Sequence, residues 1–489
     1  MPRTKNPIVI VHGWSDKSDS FKPLANFLQG KGFQTLNLFL ADYLSMEDEV
    51  TIDDAAKAMQ RAVHASVQNG QLTLPFDLIV HSTGGLVSRA WLSTYYTGVA
   101  QDKMPVQRLV MLAPANFGSA LASVGQTILG RVVKGWGHGF HTGTQMLNGL
   151  ELGSPFQWEL ALRDLFNLDN SNAQTIYGAD LVWPFVLVGT MAYQHGLRQM
   201  VSEHGADGTV RVAAANLNAF GVTLDFTRDN AQTAPGKSAN NIKGAPKSAT
   251  LVPWTSRYGD MRFPLAVMKR RDHASITDPS SKGDDESDQD QQLFQDFLLS
   301  ALNCSDYAAY QQIGKDWDIH SDSVQDQVGG DNDNHTHFQL NVFVVDEHQK
   351  PVTDYMIEFF AANSAQNIDL TKATDDSIGF FHNKLISDIH KNKQNEALRT
   401  IYIDRKCLFD LIYDEASGLA LDEVRMSISA AAPGENVSYF DRIEGARGEF
   451  VVHTKDDLSR WLRRNTTHFL KIVIPREPSN DVFKLKRYP

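Results

Sequence analysis

Strand-like and helix-like patterns alternate along the chain up to about residue 275. Short apolar runs typical of buried strands occur at residues 8–11, 34–40, 76–80, 106–113, 186–189 and 210–215. Residues 21–29 and 51–67 carry apolar side chains at helical spacing, and Thr51 with Asp54 three positions later is typical of a helix start. This alternation predicts an α/β fold, with a mostly parallel sheet covered by helices on both faces.

The pattern changes near residue 335. Phe338, Leu340, Val342 and Val344 alternate with other residues, as in a half-buried strand. Further strands are predicted at residues 355–362, 400–403, 426–430, 450–453 and 468–474. We therefore expect a first domain over residues 1–316, a polar, acidic linker over 317–334, and a smaller β-rich domain, a sandwich, over 335–489.

The segment His81-Ser82-Thr83-Gly84-Gly85 stands between the apolar run 76–80 and a predicted helix. A serine flanked by small residues at a strand-to-helix turn is typical of a nucleophile elbow. Val80 stands where the G-x-S-x-G motif has its first glycine, so the formal motif fails by one residue. The alternative is an ordinary Ser-Gly turn that caps a helix.

Three further features support a catalytic serine. Gly13 ends the first strand, so the loop can turn toward Ser82, and the backbone N–H groups of Trp14 and Thr83 are predicted to form an oxyanion hole. Asp207 lies between small residues before an apolar run, and His273 follows a late strand.

The order Ser82, Asp207, His273 is the chain order in which α/β-hydrolases supply nucleophile, acid and base. A common Asp-Gly turn remains the alternative at Asp207, and Asp180 and Asp225 remain rival acids.

Several segments resemble the bacterial PlaB-type phospholipases A. They include residues 10–15 around His12-Gly13-Trp14, 80–87 around the H-S-T-G elbow, 109–121, 150–154, 207–212 and 271–273. That family also lacks the first elbow glycine and has a second domain after the hydrolase. The resemblance covers about the first 280 residues. It implies an α/β-hydrolase fold, a triad of Ser82, Asp207 and His273, phospholipase A and lysophospholipase A activity, and self-association into a homo-oligomer.

Two insertions interrupt the α/β pattern. Residues 116–170 are expected to include a lid, in which Trp136 and Phe140 would enter a lipid interface beside Arg131 and Lys134. The alternative is a buried cap helix followed by a glycine-rich turn. Residues 227–249 are rich in Asn, Ala, Gly, Pro and Lys and predict a flexible loop.

Composition narrows the range of partners. The 489-residue chain carries a net charge of -12, which offers no general attraction for nucleic acid or an anionic bilayer. No apolar run approaches the ~20 residues of a membrane-spanning helix, and no signal peptide is expected ahead of the first strand. The two cysteines predict reduced thiols in a protein made in the bacterial cytosol. No metal-ligand or cofactor-binding spacing occurs, so we expect neither group.

These observations predict a serine hydrolase that cleaves fatty-acyl esters. Its expected substrates are phospholipids and lysophospholipids at a membrane surface with which the protein associates peripherally. Two alternatives stay open: a carboxylesterase or lipase acting on neutral or soluble acyl esters, and a non-catalytic binding scaffold.

Overall fold

The computed structural model describes residues 6–14, 16–33, 38–123, 143–168, 174–191, 203–228, 247–327, 334–362, 382–413, 423–440, 447–453 and 461–487. The chain divides into two compact units. The first unit comprises Met1–Ala219, Thr255–His337 and Asn465–Thr467; the second comprises Phe220–Trp254, Phe338–Arg464 and His468–Pro489.

The first unit contains eight of the described strands and nine of the described α-helices, numbered here along the whole chain. The strands are β1 (Ile8–Val11), β2 (Leu38–Ala41), β3 (Phe76–His81), β4 (Val106–Leu112), β5 (Phe166–Asn167), β6 (Trp183–Gly189), β10 (Thr255–Ser256) and β11 (Leu265–Met268). The helices are α1 (Lys22–Gly30), α2 (Ile52–Gln68), α3 (Gly84–Tyr95), α4 (Ala120–Ser123), α5 (Thr144–Leu150), α6 (Pro155–Asp164), α7 (Val212–Ala215), α8 (Asp288–Asn303) and α9 (Tyr307–Val324).

The main sheet of this unit has the strand order β11-β6-β4-β3-β1-β2, and its pairings are all parallel. Strands β3 and β4 are long apolar runs at its centre, as expected for strands buried on both faces. The predicted α/β fold with a mostly parallel sheet is therefore confirmed. Because parallel strands end at one edge, the loops after β1, β3, β6 and β11 meet there.

The described part of the second unit consists mainly of strands. Its described strands are β7 (Phe220–Asp225), β8 (Lys247–Ser248), β9 (Thr250–Pro253), β12 (His337–Asp346), β13 (Tyr355–Ala362), β14 (Ile386–Lys391), β15 (Leu398–Asp404), β16 (Glu423–Ala430), β17 (Val437–Tyr439), β18 (Gly448–His453), β19 (Thr466–Ile474) and β20 (Arg476–Pro478). Helix α10 (Arg405–Tyr413) follows β15. A six-stranded sheet, β14-β15-β12-β19-β7-β9, and a four-stranded sheet, β13-β16-β18-β8, share one apolar core. The unit is therefore a β sandwich.

The structure divides the chain differently from the sequence pattern, and the two largest differences concern residues 220–254 and 317–334. Residues 220–254, assigned above to the first domain, belong to the second unit, because Val222, Leu224 and Phe226 pack into its core. The expected linker 317–334 begins as helix instead. Helix α9 continues to Val324, because Trp317 is buried and stacks on Phe297.

Two expected features fall largely outside the described residues. The lid side chains Arg131, Lys134, Trp136 and Phe140 lie in residues 124–142, and the loop 227–249 lies mostly in residues 229–246. Within the described part of the chain, no helix combines the length and apolar character needed to cross a membrane.

Candidate active site

Ser82 occupies a sharp turn between the last residue of β3 and the start of α3. Its φ angle of 53° lies in the left-handed region, where a non-glycine residue is strained. The turn is held by hydrogen bonds: the Ser82 N–H donates to the Leu112 carbonyl at 3.2 Å, and the Ser82 carbonyl accepts from Gly85 and Ala115. This geometry is that of a nucleophile elbow.

The glycines around Ser82 have little room for a side chain. A Cβ atom on Gly13 would lie 2.7 Å from the Ser82 Cβ, and one on Gly85 would lie 2.8 Å from the Pro114 Cβ. A Cβ on Gly84 would meet the His12 carbonyl at 3.0 Å. Glycine is therefore needed at Gly13 and Gly85 for close approach.

His273 lies in the loop after β11 and faces the elbow. Its Nε2 is 3.0 Å from the Ser82 Oγ, and its Nδ1 is 2.8 Å from the Asp207 Oδ2. We assign the proton to Nδ1, which donates to Asp207, so that Nε2 can accept the Ser82 hydroxyl proton. The three side chains thus form one continuous hydrogen-bonded chain, and their role as a catalytic triad stays a prediction.

Asp207 is fully buried in a short loop that precedes α7. Its Oδ1 accepts from the backbone N–H groups of Thr209 at 3.0 Å and Val210 at 2.7 Å, which leaves Oδ2 for His273. The loop is closed by a two-point ion pair in which Arg211 donates to both carboxylate oxygens of Glu203, each at 2.7 Å.

The two rival acids are placed elsewhere. Asp180 is exposed in a turn before β6, and Asp225 accepts from the Thr227 N–H and hydroxyl in the second unit. The structure brings neither of them to His273, whose described carboxylate partner is Asp207.

The predicted oxyanion donors lie on the two loops that flank Ser82. Trp14 follows the glycine turn after β1, and Thr83 follows the serine at the N-terminus of α3. The Trp14 N–H donates to the Thr83 Oγ1 at 3.3 Å. Rotation of the Thr83 side chain about its Cα–Cβ bond would let the Trp14 N–H donate to an oxyanion instead. The role of both N–H groups stays a prediction.

His81 is a supporting residue that sequence reasoning missed. Its Nε2 is 2.9 Å from the His273 carbonyl oxygen, and the two imidazole centroids are 4.6 Å apart. Burial, followed by the nearby His273, lowers the pKa of His81 well below its ordinary value, so its ring is neutral near pH 7. The neutral His81 ring donates from Nε2 to this carbonyl oxygen and so holds the backbone of His273. It does not compete for the Ser82 proton that His273 is predicted to accept.

Arg271 is a second residue whose role was missed. Its fully buried guanidinium donates from Nε to the Glu286 Oε1 at 2.8 Å and lies over the Phe294 ring, 4.4 Å from the centroid. It also donates to the carbonyl oxygens of Ser275, Asp278 and Ser281. One side chain therefore fixes the loop that carries His273. The only sequence signal was an arginine two positions before that histidine.

A parallel sheet with a strained serine at a strand-to-helix turn, and with its base and acid on later loops, defines the α/β-hydrolase class. The chain belongs to the alpha/beta hydrolase family, whose family model matches residues 8–281.

The phospholipase PlaB from Legionella pneumophila has a similar structure. A structure of PlaB in complex with thio-NAD is 22% identical to this chain, with a TM-score of 0.74, and covers 98% of this chain and 96% of PlaB. A second PlaB structure gives a TM-score of 0.73 at the same identity and coverage. The resemblance predicted from the motifs is thus confirmed as a likeness of fold over nearly the whole chain. Among curated proteins, none matches the chain.

Proposed function

We propose that this protein is a serine hydrolase that cleaves the fatty-acyl esters of glycerophospholipids and lysophospholipids. The observation that carries the proposal is the hydrogen-bonded chain from Ser82 through His273 to the buried Asp207. The three groups have the chemistry that acyl transfer requires, since the strained serine can act as nucleophile, the imidazole as base, and the carboxylate as the group that orients the imidazole.

The reaction proceeds through an acyl-enzyme. As the Ser82 Oγ attacks the acyl carbonyl carbon, its proton passes to His273 Nε2, and Asp207 stabilises the resulting imidazolium. The Trp14 and Thr83 N–H groups stabilise the negative oxygen of the tetrahedral intermediate. The intermediate collapses, the bond to the leaving alcohol breaks, and His273 returns its proton to that alcohol. Water then attacks the acyl carbonyl carbon while its proton passes to His273 Nε2. The bond from that carbon to the Ser82 Oγ breaks, His273 returns the proton to Oγ, and the fatty acid leaves.

The lipid substrate class rests on two supports. One is the motif resemblance to the PlaB-type phospholipases, and the other is the fold shared with a structure described as a phospholipase. Peripheral contact with a membrane and assembly into a homo-oligomer are part of the same proposal. A carboxylesterase acting on soluble esters would use the same three side chains.

The test is fatty-acid release from phosphatidylcholine, lysophosphatidylcholine and a short-chain soluble ester. Ser82→Ala should lower every rate by roughly 10⁶-fold, because the nucleophile is lost. Ser93→Ala is the matched control, since the hydroxyl of this buried serine donates within α3, to the Ala90 carbonyl. Cleavage of the soluble ester alone would favour the carboxylesterase. No release from any substrate would contradict the proposal and favour a scaffold. Release unaffected by Ser82→Ala would contradict it too, because a group other than Ser82 would then be the nucleophile.

A further inference from the structure

A long groove in the first unit separates α2 from the edge of the main sheet. Its volume is about 350 Å³. The side chains that line it are mostly apolar. They include Val11, Leu40, Tyr43, Ala58, Ala62 and Val87. Nothing in the described residues of this unit fills the space.

The helix side of the groove is a stripe of small side chains. Ala55, Ala58, Ala62 and Ser66 recur at spacings of three and four residues, so they lie on one face of α2. Their short side chains keep the helix from filling the gap to the strands. The strand side is β2, whose residues Leu38–Ala41 are apolar yet only half-buried. An apolar surface is therefore left partly open, which marks it for an apolar occupant.

One end of the groove adjoins the catalytic elements. Val11 immediately precedes the loop that carries Trp14, and Val87 donates its N–H to the carbonyl of Thr83 at 3.1 Å. The Tyr43 ring, at the same end, stacks on His12 with centroids 4.4 Å apart. The groove thus begins beside both predicted oxyanion donors.

From this end the groove follows α2 toward the opposite edge of the sheet. Ala55 and Ser66 are eleven positions apart on α2, which corresponds to about 16 Å at the rise of an α-helix. The hydrocarbon core of a bilayer is about 30 Å thick, so one acyl chain of one leaflet occupies about 15 Å. The groove therefore has the length of a single phospholipid acyl chain.

We propose that this groove binds the acyl chain that is being transferred to Ser82, and that Ala58 and Ala62 set how long that chain can be. The inference rests on the proposed function, since it takes the substrate to be a fatty-acyl ester. The ester carbonyl lies at the catalytic end, and the methyl end of the chain extends along the stripe of small residues on α2.

The experiment blocks the groove with a larger side chain at one of two positions along its length. Ala58→Leu and Ala62→Leu each place three more carbon atoms in it, with Ala62 about 6 Å further from the catalytic end. Ala65→Leu is the matched control, because Ala65 is exposed on α2, as Ala62 is, but does not line the groove. The kcat/KM of each variant is measured with butyrate, octanoate and palmitate esters of one alcohol, after thermal unfolding has shown that it is folded.

Each displaced methylene should lower binding about fourfold, so three should lower it about 60-fold. We expect both groove variants to lose about 60-fold in kcat/KM on palmitate and nothing on butyrate. Only Ala58→Leu should also lose activity on octanoate, and Ala65→Leu should match the wild type. An unchanged ratio of palmitate to butyrate activity in both groove variants would overturn the inference while leaving the ester hydrolase intact.

A binding measurement separates this inference from the proposed function. Ser82→Ala protein is titrated with palmitate by calorimetry, with and without Ala58→Leu. Weaker binding caused by Ala58→Leu, but not by Ala65→Leu, supports the groove even if no ester is cleaved. Equal binding overturns it. A change of oligomeric state caused by Ala58→Leu, with chain-length preference unaltered, would also overturn it, because the occupant would then be a second copy of this chain.

Discussion

Replacing Arg271 with methionine tests whether a buried ion pair holds the catalytic base in place. Arg271 and Glu286 are both buried, and the guanidinium also donates to three carbonyl oxygens of the loop after His273. Methionine occupies a similar volume but donates no hydrogen bond. The variant therefore leaves the Glu286 carboxylate buried without its cation, and the loop without its central donor.

The magnitude follows from the burial. Removing one partner of a buried pair destabilises a protein by about 3–5 kcal/mol, because the remaining charge stays desolvated and unpaired. That loss corresponds to a fall of about 10 °C in the unfolding temperature of the first unit. The double variant Arg271→Met/Glu286→Leu should be more stable than Arg271→Met alone, since no unpaired charge remains. A displacement of His273 by about 1 Å should lower kcat about 100-fold.

The assay combines thermal unfolding with esterase kinetics at a temperature where all variants are folded. Lys269→Met is the matched control, because Lys269 is an exposed base two positions earlier, and its stability should stay within about 0.5 kcal/mol of the wild type. If Arg271→Met also stayed within that limit with unchanged kcat, the ion pair would have no part in positioning the base. A double variant less stable than Arg271→Met would show that the unpaired charge is not the cause.

Three further predictions concern single positions. Asp207→Asn should fold normally but lower kcat about 10⁴-fold, because an amide facing His273 Nδ1 favours the wrong tautomer; an unchanged kcat would refute the triad. Gly13→Ala should leave folding intact and lower kcat about 100-fold, because the new Cβ would crowd Ser82. Kinetics on a soluble ester measure this fall in kcat. Burial, followed by nearby Arg463, lowers the pKa of His468 from 6.5 to about 3. As the pH falls below 6.5, His468 therefore binds a proton in the unfolded chain but not in the folded second unit. The free energy of unfolding, measured in urea, should fall by about 1.4 kcal/mol for each unit by which the pH is lowered. His468→Leu should remove this contribution to the pH dependence.

The three candidate triad residues could be located in the sequence because their signals are local. A serine between small residues, an aspartate before an apolar run and a histidine after a late strand each follow a recognisable strand, and parallel topology brings the ends of those strands together. The supporting residues could not be predicted in this way. Arg271 acts on carbonyl oxygens and His81 on the backbone of His273, 192 residues away in sequence, so neither partner is marked by a side-chain motif.

The missing elbow glycine shows how a motif differs from the physical requirement behind it. Val80 is fully buried in β3 and pairs with Val11 and Met111 on the neighbouring strands. The tight contacts lie instead on the other side of the serine, at Gly13 and Gly85. A valine is therefore accommodated where the general motif has glycine, while the strained φ angle of Ser82 is kept.

The division of the chain was the hardest feature to predict, because β7 resembles a hydrolase strand. Its apolar residues Val222 and Leu224 fit a buried strand in either unit, and the pattern of one strand does not reveal which sheet it joins. In the structure β7 pairs in parallel with β19, about 250 residues later, from His468 opposite Phe220 to Val473 opposite Asp225. The second unit therefore pairs a strand from the middle of the sequence with one from near its end. A protein cut after residue 334 would expose the core face of β7 to water, so the β sandwich cannot be treated as a C-terminal addition to the hydrolase.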